Sequence, residues 1–64
     1  MASYRFYCMS GKSRVDAVRV GDFADDAGAR MLAGTMFEAT GSDALEVWAG
    51  WRLVARLERA PLPA

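Results

Sequence analysis

The chain contains no histidine and a single cysteine, Cys8. A lone thiol cannot close a disulfide within the chain. A zinc site would have to combine one thiolate with carboxylates, which is a poor match to the His- and Cys-rich sets that hold this metal. The missing histidine also leaves Cys8 without the usual base for thiolate formation, so a buried structural thiol is expected. No apolar run approaches the roughly 20 residues of a membrane span. The opening stretch "MASYRFYCMSGKSR" has no apolar core of the kind a secretory signal needs. These absences together fit a protein of the reducing cytoplasm that uses no cofactor. Charge excess of either sign is absent too. Eight basic and eight acidic residues cancel, whereas a dedicated nucleic-acid binder usually carries surplus Lys and Arg.

What is present is apolar surface. Hydrophobic residues make up 53% of the 64, yet a chain this short buries only about 60% of its unfolded surface. Disulfide and metal staples are excluded, so a partner chain is the remaining common source of extra stability.

Three patterns organise the sequence. "SYRFYCM" alternates, with Tyr4, Phe6 and Cys8 on one face and Arg5, Tyr7 and Met9 on the other, as in a strand. "SGKS" follows as a turn, and the β-branched "RVDAVRVGDF" completes a hairpin. The Gly-Lys-Ser triplet resembles the end of a phosphate loop, but that motif needs glycine where Phe6 stands and a helix where a strand follows.

Between Asp25 and Gly41 the period changes. Ala29, Leu32, Ala33, Met36 and Phe37 recur at three and four residues and form an apolar helical stripe. Asp25 or Asp26 can cap its first turn, Asp26 and Arg30 can pair one turn apart, and Gly41 can end it. Capping accounts for Asp22, Asp25 and Asp26 more simply than metal binding does. Gly28 and Gly34 inside the helix each cost about 1 kcal/mol against alanine, which close packing or neutral drift can explain.

"ALEVWAGWRLVARLER" returns to strand character. Two registers are open at Ala49-Gly50. A two-residue turn pairs Trp48 with Trp51. A three-residue loop with Gly50 at a bulge pairs Val47 with Trp51, groups Leu53 and Leu57 with the core, and sets Glu46 against Arg52. The second separates apolar from charged residues better and is preferred. In either case Arg52, Val54 and Arg56 share the face away from the helix. "APLPA" closes the chain as a mobile tail.

The order is β-β-α-β-β: an α+β domain over residues 1–59, with a four-stranded, mainly antiparallel sheet and one helix on one face. The tail is residues 60–64. The aromatic first strand, the helix start at Asp25, Asp26 and Ala29, and the terminal Trp48, Gly50, Arg52, Val54, Ala55 and Arg56 carry a resemblance. They resemble a group of small, mostly alphaproteobacterial proteins of unknown function, whose last hairpin reads W-x-G-x-R-x-V-A-R. The resemblance implies a cytoplasmic ββαββ protein and brings no catalytic residues with it.

One helix covers one sheet face, so the other must meet water or another molecule. Tyr7, Met9, Val18, Trp48, Arg52, Val54 and Arg56 are the candidate interaction surface. The expected function is that of a non-enzymatic protein–protein interaction module, self-associating as a dimer through this face or an edge strand, or binding another protein. The alternative is weak binding of single-stranded nucleic acid, with Trp48 and Tyr7 stacking on bases beside a stripe of Arg52, Arg56 and Arg59, extended by Lys12 and Arg14.

Overall fold

Strand β1 (Ala2–Ser10) lies inside the sheet and carries its longest aromatic alternation. It is flanked by β2 (Arg14–Phe23) on one side and β3 (Ala44–Ala49) on the other, and β4 (Arg52–Glu58) closes the far edge. The order is β2-β1-β3-β4, and all three pairings are antiparallel. Helix α1 (Asp26–Thr40) connects β2 to β3 and packs on one face. This computed structural model describes residues 1–11 and 14–59; Lys12, Ser13 and residues 60–64 lie outside the described residues. The ββαββ architecture expected from the sequence is the one observed.

The core follows from the alternation of β1. Tyr4, Phe6 and Cys8 face the helix, together with Leu45 and Val47 of β3 and Val54 of β4. The helix contributes Ala29, Ala33 and Phe37. Alanines at two successive turns let the helix backbone lie close to the sheet, and Phe37 fills the space at its far end. Phe23 packs edge-on against Tyr4 and Phe6, with ring centroids 5.9 Å away in each case. Such aromatic pairs add about 0.5–1.5 kcal/mol beyond the area they bury.

Both helix ends are anchored. Asp25 is the N-cap, and its carboxylate accepts a hydrogen bond from the Gly28 amide at 3.0 Å. Gly41 ends the helix with φ +66°, a conformation that only glycine adopts without strain. Arg59 then caps the last turn. Its guanidinium donates to the carbonyls of Phe37 and Ser42, each at 3.1 Å, and lies 4.4 Å above the centre of the Phe37 ring. A cation here also complements the negative end of the helix dipole.

At the other end, Asp26 does not pair with Arg30 as the spacing predicts. Arg52 donates two hydrogen bonds to it, at 2.9 and 3.1 Å, and the Tyr4 hydroxyl donates a third at 2.8 Å. The Arg52 bonds first, and then Tyr4, hold the Asp26 carboxyl at about 2, below its ordinary 3.8. The same carboxylate raises the Tyr4 hydroxyl above its usual value. A tertiary partner with two parallel donors outcompetes the local helical one. Arg30 turns instead to the Val54 carbonyl, at 3.4 Å.

The last hairpin departs from both registers considered for it. Ala49 pairs with Arg52, so the two loop residues are Gly50 and Trp51. Gly50 has φ +60° and no non-glycine residue among the described residues has positive φ, which matches the hairpin turn with glycine at its first central position. A bulge follows: Trp48 pairs with Leu53 but Val47 pairs with Ala55, leaving Val54 as the extra residue. The Gly50-Trp51 turn overturns three sequence-based placements, and the bulge then returns Arg56 to the open face and Leu57 to the core side. Val54 enters the core instead of the open face. Leu53 stands opposite Trp48 on the open face instead of under the helix. Arg52 reaches Asp26 on the helix side, and it is Arg56, not Arg52, that meets Glu46.

Candidate interaction surface

The three registers place the residues of the open face in cross-strand rows. The first row is Val20–Arg5–Trp48–Leu53, the second Val18–Tyr7–Glu46–Arg56, and the third Val15–Met9–Ala44–Glu58. Residues opposite each other in antiparallel strands share a face, so the rows read directly as neighbours. Apolar side chains occupy all of the β2 column and most of the first row. Glu46, Arg56 and Glu58 gather at the corner where β3 meets β4, and Asp22, opposite Ser3, lies beyond the first row at the other end of β2.

Several of these apolar side chains remain uncovered. Val15, Val18, Val20 and Leu53 are 46%, 50%, 67% and 44% exposed. Trp51, at the tip of the last hairpin beside the first row, is 90% exposed. Tyr7 and Trp48 are half-buried, and Met9 is buried between its taller neighbours. A shallow depression of about 330 Å³ lies among Tyr7, Met9, Val15, Trp48 and Trp51. Lone exposed aliphatic residues are ordinary; here several lie together on one face of the sheet.

The charged corner is internally satisfied. Glu46 accepts from the Trp48 indole N–H at 2.9 Å through one oxygen and from Arg56 through the other. Arg56 also donates to Glu58. The Glu58 hydrogen bond above all, with help from Glu46, raises the Arg56 guanidinium further above its already high value. Arg5 stands between Val20 and Trp48 and has no ion-pair partner among the described residues.

Of the seven residues expected on this surface, the structure brings five together: Tyr7, Met9, Val18, Trp48 and Arg56. Arg52 and Val54 belong to the other side of the sheet. The arginine stripe is therefore not assembled. Arg52 serves Asp26, Arg56 lies between two glutamates, and Arg59 caps the helix. The acidic residues disperse as well: Asp25 caps the helix, Asp26 ties it down, and Asp22 stands opposite Ser3. Among the described residues no group of three His, Cys, Asp or Glu side chains could hold a metal ion. No helix of the described residues is long and apolar enough to cross a membrane.

Val15, Val20 and Leu53 lie outside the surface expected from the sequence. Simple alternation from Val18 reaches Val20, so that signal was present. Val15 joins the face only because a bulge between Cys8 and Met9 leaves Asp16 unpaired. Leu53 joins it because the turn falls at Gly50-Trp51, which sets Leu53 opposite Trp48. No family model matches the chain, and neither any curated protein nor any solved structure matches it.

Proposed function

We propose that this protein is a small, non-enzymatic interaction module that pairs with a second copy of itself through the open sheet face, in the cytoplasm where Cys8 stays reduced. The observation that carries this reading is the set of exposed apolar residues Val15, Val18, Val20 and Leu53 on one face, with half-buried Tyr7 and Trp48 between them.

Size supports the choice of partner. Four strands about 4.8 Å apart and three rows about 6.7 Å apart make a face of roughly 19 by 20 Å. With side-chain relief this is roughly 600 Å² per copy, or about 1,200 Å² for a pair, at the lower end of specific interfaces. The charged corner poses little obstacle at the rim, because Arg56 already has both of its carboxylate partners. Two sheets packed face to face also supply the second apolar layer that a single helix cannot.

Sedimentation equilibrium across the micromolar range tests the reading directly. The wild type is expected to shift from monomer to dimer. Val18→Asp combined with Val20→Asp should keep the monomer folded, since both residues are at least half exposed, and should weaken pairing by at least about tenfold, or 1.4 kcal/mol. A wild type that remains monomeric throughout sinks the proposal.

A further inference from the structure

A second outward-facing feature lies on the helix side of the sheet. The core draws on β1, β3 and β4, whereas β2 contributes only Phe23 at its end. Upstream of Phe23, β2 and the helix stand apart. The groove between them has a volume of about 540 Å³, a floor of Phe6 and Cys8, a strand wall of Ala17 and Arg19, and a helix wall that includes Leu32 and Met36. Leu32 is 37% exposed there.

β2 is also the outermost strand and pairs with β1 alone. Half of its backbone N–H and C=O groups therefore point outward with no strand to meet them. A free strand edge beside an apolar groove is the arrangement by which extended peptides are captured as an added strand. Main-chain hydrogen bonds supply affinity, and alternate side chains entering the groove supply selectivity. The charge at the groove favours an acid. Arg19 has no ion-pair partner among the described residues, whereas the one acidic residue of the lining, Asp16, has Arg14 at 3.6 Å.

We propose that β2 and this groove capture an extended peptide segment of another protein, which adds to the sheet beside β2 with an acidic side chain against Arg19. Opposite residues share a face, so the registers of β2 define the peptide. A large aliphatic side chain opposite Ala17 enters the groove towards Leu32 and Met36. The acid stands opposite Arg19. β-Branched residues opposite Val18 and Val20 extend the open face. The bulge at Asp16 bends the strand and ends the pairing there. The edge and the groove lie outside the open face, so this inference does not rest on self-association.

The probe is the peptide acetyl-Thr-Val-Glu-Val-Leu-Thr-amide, titrated into the full chain with affinity read by fluorescence anisotropy and location by amide chemical shifts. Shifts are expected at Ala17–Gly21 and at Leu32–Met36. Replacing the peptide's Glu with Lys should weaken binding at least about tenfold, and Arg19→Glu in the protein should invert that preference. A peptide with proline in place of one valine should bind far more weakly, because it lacks an N–H for pairing. The proposal is overturned by any of four results: no shift at millimolar peptide, shifts confined to Tyr7 and Trp48, a preference unmoved by Arg19→Glu, or full affinity for the proline peptide. Arg19 is exposed, so its substitution leaves the fold in place.

Discussion

Gly34→Ala should raise stability by about 1 kcal/mol. Gly34 sits in the middle of the 15-residue helix, eight residues after Asp26 and six before Thr40. An interior glycine there costs about 0.8–1 kcal/mol against alanine, chiefly through the backbone freedom it loses on folding. Whether that gain is realised depends on what the new methyl group meets. A Cβ built on Gly34 has nothing within 4 Å, so no packing strain opposes the gain. The sequence reading allowed close packing as the reason for this glycine; within one chain the structure removes it. Gly28 is the internal control. Its Cβ would touch the Phe23 ring at 3.4 Å, in the first turn, against the ring that packs on Tyr4 and Phe6. Gly28→Ala should therefore gain clearly less. For a domain of this length, 1 kcal/mol corresponds to a rise in Tm of about 4–8 °C. Thermal unfolding followed by circular dichroism reads it, at one protein concentration so that any concentration-dependent association cancels in the comparison. An unchanged or lower Tm for Gly34→Ala refutes the reasoning, and would mean that the outer helix surface is covered in solution.

Acid should loosen the start of the helix. The Asp26 carboxyl is lowered from 3.8 to about 2 in the folded chain, so its contribution is complete above its unfolded value and is lost as pH falls from about 4 through 2. Asp26→Asn should flatten the pH dependence of Tm across that window, and a slope equal to that of the wild type would count against the assignment. Arg59→Met should cost about 1–2 kcal/mol in urea unfolding, through two lost carbonyl hydrogen bonds and the Phe37 contact. No loss would show that the cap contributes nothing.

The sequence made the first hairpin and the helix readable because their signals are local. Tyr4, Phe6 and Cys8 alternate without interruption, Asp25 and Gly41 mark the helix ends, and nothing distant competes with either pattern. The last hairpin was legible as a hairpin but not in its register. Its Ala-Gly-Trp offered Ala49-Gly50 as the obvious turn, and the actual turn, Gly50-Trp51, leaves a tryptophan in solvent. That turn sends Val54 to the core side, and a bulge at Val54 then returns Arg56 and Leu57 to the faces that alternation predicts. A bulge adds one residue on one strand only and leaves the apolar count unchanged, so periodicity cannot reveal it. The ion pairs were missed for a different reason. Asp26–Arg52 joins residues far apart in sequence, where only the folded chain makes them neighbours. The composition of the candidate surface was read about as well as the first bulge and the turn at Gly50-Trp51 allowed: Tyr7, Met9 and Val18 from alternation, and Val15 and Leu53 not at all.

Those long-range pairs decide what kind of surface the protein offers. An arginine-rich hairpin beside two tryptophans reads as an electrostatic grip, and such a grip weakens steeply with salt as counterions return. Here three arginines of the hairpin region are committed to Asp26, to Glu46 and Glu58, and to the helix end. Their charge holds the fold together. The rest of the open face is valine, tyrosine, tryptophan and leucine around Arg5, which has no ion-pair partner among the described residues, with Asp22 at one end. Association through such a face draws on apolar burial, which salt does not screen and which sulfate strengthens. Self-association measured at low and at high sodium chloride, and then in sulfate, should therefore hold constant and then tighten. A dissociation constant that climbs steeply with sodium chloride would instead place the binding energy in the arginines, against the ion pairs that now occupy them.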